Sequence, residues 1–116
     1  MEQVKVIRDA DQAWNEVPDV WEGKAKPGEP RVFYKMLTPF EPGKPNIQRS
    51  RYEPHHFEPP HSHPEDELLF LLSGDLIFGD QKLGFGDAIF VPKNARYSLR
   101  AGAAGAEFVR VGYGSE

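Results

Sequence analysis

The chain contains no cysteine among its 116 residues, which excludes a disulfide framework and any thiolate metal site. It has no long apolar run. The longest, Leu68 to Leu72, falls far short of the roughly 20 residues a membrane-spanning helix needs, so no membrane partner is expected. The opening Met1-Glu2-Gln3-Val4-Lys5 does not begin a signal-peptide pattern, and a cytoplasmic location is expected. Basic residues are not in excess: 14 Lys and Arg against 18 Asp and Glu leave a net charge of −4. Such a balance offers no field to attract a phosphate backbone, so no nucleic acid is expected as a partner. Proline and glycine, by contrast, are abundant at 11 each and aperiodic, which implies many short elements joined by tight turns. With 39% hydrophobic and 28% charged residues the composition is that of a folded globular chain and not a disordered one.

The length suits one domain, residues 1–116, with an N-terminal wrapping segment over 1–30 and a barrel over 31–112. Val4 to Arg8 predicts a short strand, and Asp11 predicts the cap of a brief helical turn from Trp14 to Val17, ended by Pro18. Residues 20–30 are turn-rich. Strands are expected at Arg31 to Thr38 and at Asn46 to Glu53, separated by the proline-rich 39–45. Glu67 to Leu72 predicts a strand buried on both faces, Ser73-Gly74-Asp75 a turn, and Leu76 to Phe78 a strand pairing back. After the turn at Gly79-Asp80, short strands follow at Gln81 to Leu83, Ala88 to Val91, Arg96 to Arg100 and Glu107 to Val111. A small-residue hairpin loop, Gly102 to Gly105, is expected between the last two. Short strands at this spacing, with no long helix, define an all-β sandwich or barrel of jelly-roll type.

All four histidines fall between positions 55 and 63. Residues two apart in an extended strand share a face, so His61 and His63, joined by Glu67 if the register survives Pro64, converge on one side. Two imidazoles and one carboxylate suit non-haem Fe(II) and, depending on geometry and supply, Zn, Mn, Ni or Cu. Glu65 and Asp66 read as an exposed turn beside this group.

The pattern His61-x-His63-x-x-x-Glu67, with six further residues before Gly74, resembles the first motif of the cupin superfamily. Gly86-Asp87-Ala88-Ile89-Phe90-Val91-Pro92 is similar to the second. The resemblance implies a double-stranded β-helix, or jelly-roll, barrel holding a divalent metal ion on His61, His63 and Glu67. Three positions depart from it. His55 stands where the first motif carries a glycine, and Asn94 where the second does. Tyr97 stands where a histidine normally completes the metal site. Tyr97 shares parity with Leu99 and is expected to face inward, where its phenol could ligate the metal, donate a hydrogen bond to substrate, or act as the catalytic acid or base. His55 or His56 could replace the missing ligand, although both read more simply as surface residues.

Arg49 and Arg51 share one strand face, and turned inward they would form a hook for a substrate carboxylate. Gly102 to Gly105 is no phosphate cradle, since neither a helix start nor a lysine follows. Two functions are expected from these residues. One is a metal-dependent enzyme acting on a small carboxylate- or carbonyl-bearing molecule, leaning to dioxygenase-type Fe(II) chemistry, with isomerase or lyase chemistry as the alternative. The other is a non-catalytic barrel that binds a ligand or metal. The resemblance also implies a homodimer, formed by edge strands or by exchange of the N-terminal strand near Trp14 and Trp21.

Overall fold

The computed structural model describes residues 3–17, 28–39 and 41–113. Eight strands follow one 3-10 turn at Asp9–Asp11: β1 Asn15–Glu16, β2 Val32–Met36, β3 Asn46–Tyr52, β4 Phe57–His61, β5 Asp66–Phe78, β6 Gln81–Leu83, β7 Ala88–Val91 and β8 Tyr97–Tyr113. No α-helix forms among the described residues, and none is therefore long and apolar enough to cross a membrane.

Two long strands organise the rest. β5 and β8 run antiparallel from Asp66↔Tyr113 to Ile77↔Arg100, with register shifts at Leu71/Ser73 and Gly74/Leu76. The first half of β5 pairs with β7 and its second half with β6. The first half of β8 pairs with β4, whereas its second half pairs with β3, which continues to β2 and β1. One bent pair of strands thus serves both halves of a single eight-stranded antiparallel sheet, which folds over a common interior as a jelly-roll barrel. At the bend Gly74 has φ +81° and Gly105 φ +71°. A Cβ on Gly74 would lie 2.2 Å from the Gly105 carbonyl oxygen, so the two backbones touch where side chains would hold them apart.

The expected turns at Ser73 to Asp75 and at Gly102 to Gly105 are therefore bulges inside continuous strands. Glycines that signal turns locally here lie within one ladder, with Gly74 paired to Ala106 and packed against Gly105, and a bulge bends a strand without ending it. The other four expected barrel strands at 31–38, 46–53, 81–83 and 88–91 form close to their expected bounds. Residues 3–8 form no strand, with Val4 97% and Val6 77% exposed. The expected helical turn at Trp14 to Val17 is replaced by β1, because Asn15 and Glu16 pair with the open edge of β2 at Tyr34 and Phe33. Pro18, Trp21 and the turn-rich residues up to Pro27 lie outside the described residues.

Alternation along the strands decides what faces inward. Leu69, Leu71 and Leu76 of β5 are buried with Leu99, Ala101, Ala106 and Phe108 of β8, and Tyr52, Leu83 and Val91 close the core. Leu71 and Leu76 are wholly buried, each contributing about 1.5–3 kcal/mol. β5 is not covered on both faces, since Phe70 is 46% exposed. His55 (φ 67°) and Asn94 (φ 65°) are the positive-φ residues other than glycine among those described, and they occupy the two positions where the resembled motifs carry glycine. The backbone keeps its shape there at a cost of roughly 1–2 kcal/mol for the histidine, less for the more tolerant asparagine.

Gly74→Ala combines a positive φ with a backbone clash, and should destabilise the fold by about 3 kcal/mol in urea unfolding. A loss below about 1 kcal/mol would contradict the tight crossing at the bend.

Candidate functional site

The site grows from the first residues of β5 and β8 and the last of β4. His61 ends β4 and sits opposite Tyr97, the first residue of β8. Cross-strand partners share a face, so both rings point inward, with centroids 4.5 Å apart. His63 follows in the connection to β5, tied by its carbonyl to the Asn94 amide at 2.7 Å, and its ring lies 5.0 Å from that of His61. Glu67 enters from β5 opposite Gly112 of β8, and its Oε1 is 3.9 Å from His63 Nε2. Tyr97 Oη donates to the same oxygen at 3.1 Å. The structure thus brings His61, His63, Glu67 and Tyr97 to one end of the interior, as their spacing suggests.

Their protonation follows from their partners. His61 Nδ1 lies 2.8 Å from the Pro59 carbonyl, and a carbonyl only accepts, so Nδ1 is the donor here and Nε2 is the ring nitrogen left for another partner. Burial pushes the His63 pKa down; the Glu67 charge opposes this, while Arg110 and His61 add to it, and the result is a neutral ring. Burial, and then the charge and hydrogen bond of Glu67, push the Tyr97 phenol up, so it stays protonated and donates.

Sequence reasoning missed the group that holds Glu67. Arg110 of β8 donates through Nε to Glu67 Oε2, through Nη2 to Glu65 Oε1 at 2.5 Å, and through Nη1 to Asn46 Oδ1 at 3.0 Å. Burial opposes the guanidinium charge, but the hydrogen bond to Glu65 and the charge of Glu67 outweigh it and keep Arg110 ionised. Glu65 is not part of an exposed turn; it is 7% exposed, with Asn46 at 2% and Glu67 at 0%. Asp66 accepts from the Lys93 amide at 2.8 Å. The signal for Arg110 was its parity with Phe108, which places a charge in an inward row.

The remaining candidates lie elsewhere. His55 is exposed. His56 is buried, not superficial, with Nε2 3.0 Å from Glu58 Oε2 and its ring against Tyr52. Arg49 and Arg51 alternate with the inward Asn46, Ser50 and Tyr52, and point to the outer face of β3. There Arg49 pairs with Asp9 at 2.8 Å and Glu107 at 2.6 Å, while Arg51 stacks between Trp14 and Phe33 at 4.7 and 4.6 Å. Neither is brought to the histidines.

As the side chains stand, no three His, Asp or Glu among the described residues are placed to hold a metal ion. The donor types nevertheless fit one: two imidazole nitrogens and a carboxylate oxygen that keeps lone pairs beyond the Tyr97 bond. Two donors on one tetrahedral cation stand roughly 3.4 Å apart, against 3.9 Å between His63 and Glu67.

A bent antiparallel jelly roll with a histidine-carboxylate cluster at one end defines a class, and the sequence places the chain within it. The cupin domain family matches residues 48–111, more than half of the chain, and the protein belongs to that family. No curated protein matches the chain. Among solved structures it is similar to KdgF from Halomonas sp., at 13% identity over 98% of this chain and 96% of that one, with a TM-score of 0.73. An RmlC-like cupin from Shewanella frigidimarina matches at 14% identity over 100% and 96%, TM-score 0.71. The DMSP lyase DddQ from Ruegeria pomeroyi matches at 20% identity over 91% and 58%, TM-score 0.72. These likenesses are of fold.

The lowered His63 value has a sign that can be checked. The unfolded chain takes up this proton more readily than the folded one, so the associated stability is complete above pH 6.5 and is lost as the pH falls below it, towards the folded value. In an NMR titration the His63 ring should give a midpoint below 6.5; one at or above that value contradicts the buried, neutral assignment.

Proposed function

We propose that the protein is a metal-dependent cupin acting on a small polar molecule, with the ion held by His61 Nε2, His63 Nε2 and Glu67 Oε1. The observation that carries this reading is the hydrogen bond from His61 Nδ1 to the Pro59 carbonyl at 2.8 Å, which engages that nitrogen and leaves Nε2 for a ligand beside a neutral His63. Fixing one ring nitrogen on a carbonyl is how a protein presents the other to a metal. A bound divalent ion would polarise a substrate oxygen and leave open positions for it. Two histidines with one carboxylate are the donor set of non-haem Fe(II) sites, so Fe(II) is the first ion to load. Tyr97 serves as a hydrogen-bond donor to Glu67 and lies close enough to the imidazoles to offer its proton to a ligand in the same space. Arg49 and Arg51 are held on the outer face of β3, so a substrate carboxylate or carbonyl oxygen would be bound at the ion and not by them.

A second reading is favoured by Arg110, whose charge already neutralises part of Glu67. Under it the barrel binds a small molecule without a metal and turns nothing over. Reconstitution under anaerobic conditions separates the two. The metal reading expects close to one equivalent of Fe(II) by elemental analysis in the unaltered protein. It expects loss of that iron in His61→Ala and His63→Ala with unfolding free energies changed by less than about 1 kcal/mol, because apolar burial and not the ion supports the barrel. Tyr97→Phe should retain iron. An unaltered protein that takes up no metal would overturn this reading in favour of the binder.

We further infer a homodimer through the outer sheet face. Phe90, Leu68, Val111 and Ile47 lie side by side across four strands, beside Ala88, Phe70 and Val109, with Phe90 60% exposed. The same chain carries a second uncovered apolar stretch in Val4 and Val6 just before Asp9, which is anchored to Lys35 and Arg49 at the end of that face. Two copies can each offer what the other leaves bare. Light scattering should give a dimer, reduced to monomer by Phe70→Glu with Phe90→Glu; a monomeric parent contradicts the inference.

A further inference from the structure

We propose that Arg110 is a positioning residue that orients Glu67, selecting the carboxylate oxygen presented to His61 and His63. The inference rests on the metal reading above and concerns a residue that neither cupin motif contains. Its geometry is set by three neighbouring strands. Asn46 of β3, Gly112 of β8 and Glu67 of β5 form one cross-strand row, and Gln48, Arg110 and Leu69 form the next. Arg110 and Gly112 share the inward face. The glycine leaves the space into which the guanidinium folds: a Cβ on Gly112 would stand 2.7 Å from Glu65 Oε1 and 3.0 Å from Arg110 Nη1.

Within that space each of the three guanidinium nitrogens has its own acceptor, Glu67 Oε2, Asn46 Oδ1 and Glu65 Oε1. Asn46 closes the ring by donating to Glu65 Oε2 at 3.5 Å. The planar fork of an arginine fixes all three directions at once, which a lysine cannot do. With Oε2 engaged, Oε1 is the oxygen left facing His63 and the Tyr97 hydroxyl. Stability is a weak reason for this arrangement, since desolvating buried charges offsets most of their attraction. Its product is a carboxylate with one rotamer and one available oxygen.

The sign of the effect on a cation separates positioning from charge. As a bare positive charge, Arg110 repels a divalent ion, and its removal should tighten binding. As a positioning residue it presents the ligand oxygen, and its removal should weaken binding. The test is calorimetric titration of Co(II) into the full-length protein, with the visible absorption of the bound ion as a second readout. Arg110→Met is expected to weaken Co(II) by about 10- to 100-fold and to alter its absorption band, with far-UV circular dichroism unchanged. Gly112→Ala, which keeps every charge but intrudes on the fork, should act in the same direction, and it decides the matter alone if Arg110→Met does not fold. Affinity unchanged or increased in the folded variants overturns the role of Arg110 and leaves the metal centre standing. Failure of the unaltered protein to bind Co(II) overturns both.

Discussion

The pairing of β5 with β8 is the constraint from which the remainder of the molecule follows. Each strand is long enough to pair with different neighbours along its two halves, and at the bend the left-handed Gly74 of β5 meets the backbone of β8 at Gly105, itself left-handed and set against Tyr52 and Pro54. The bend turns one ladder into a closed interior. It also determines which ends come together: Glu67 at the start of β5 and Arg110 near the end of β8 lie in adjacent rows, while Tyr97, at the far end of β8, is carried around to the same space opposite β4. The leucines of the bent ladder supply the buried apolar area, and the polar end exists because they hold it shut.

At that polar end the energetics are those of buried charge. A carboxylate with no exposed surface, as Glu67 is, would cost several kcal/mol if left without partners. Here the phenol of Tyr97 and the guanidinium of Arg110 supply them, and Glu65 and Asn46 in turn satisfy the guanidinium. Two buried glutamates are thus set against one arginine. A site so rich in acceptor oxygens suits a cation or a hydrogen-bond donor better than an anion, and it stands beside two imidazoles. The polar interior therefore reads as a place for chemistry built on an apolar frame, with the frame and the chemistry drawing on different residues of the same strands.

Much of this was legible in the sequence, for reasons that can be stated residue by residue. Strand parity and family spacing agree in sending His61, His63 and Glu67 to one side, and parity with Leu99 sends Tyr97 inward, and the structure brings the four side chains together. Asn94 could be expected to tolerate a left-handed backbone; His55 takes one too, at the other position where the motifs carry glycine. Glycines at 74 and at 102 and 105 misled because a local pattern cannot distinguish a turn from a bulge, and only the facing strand decides. Arg49 and Arg51 were placed on one face correctly, but which face depends on Trp14, Asp9 and Glu107, none of them near in sequence. Arg110 and Glu65 were passed over because 45 positions separate them, and their meeting depends on the register of β5 against β8.

The central claim is a cation held between two histidines and one oxygen of a clamped glutamate. It is tested most directly by anomalous diffraction from crystals grown with Fe(II) or Co(II). The account predicts a single strong peak about 2.1 Å from His61 Nε2, His63 Nε2 and Glu67 Oε1, with Arg110 still on Oε2. A peak elsewhere, or none while the three side chains keep their present separation, would contradict it.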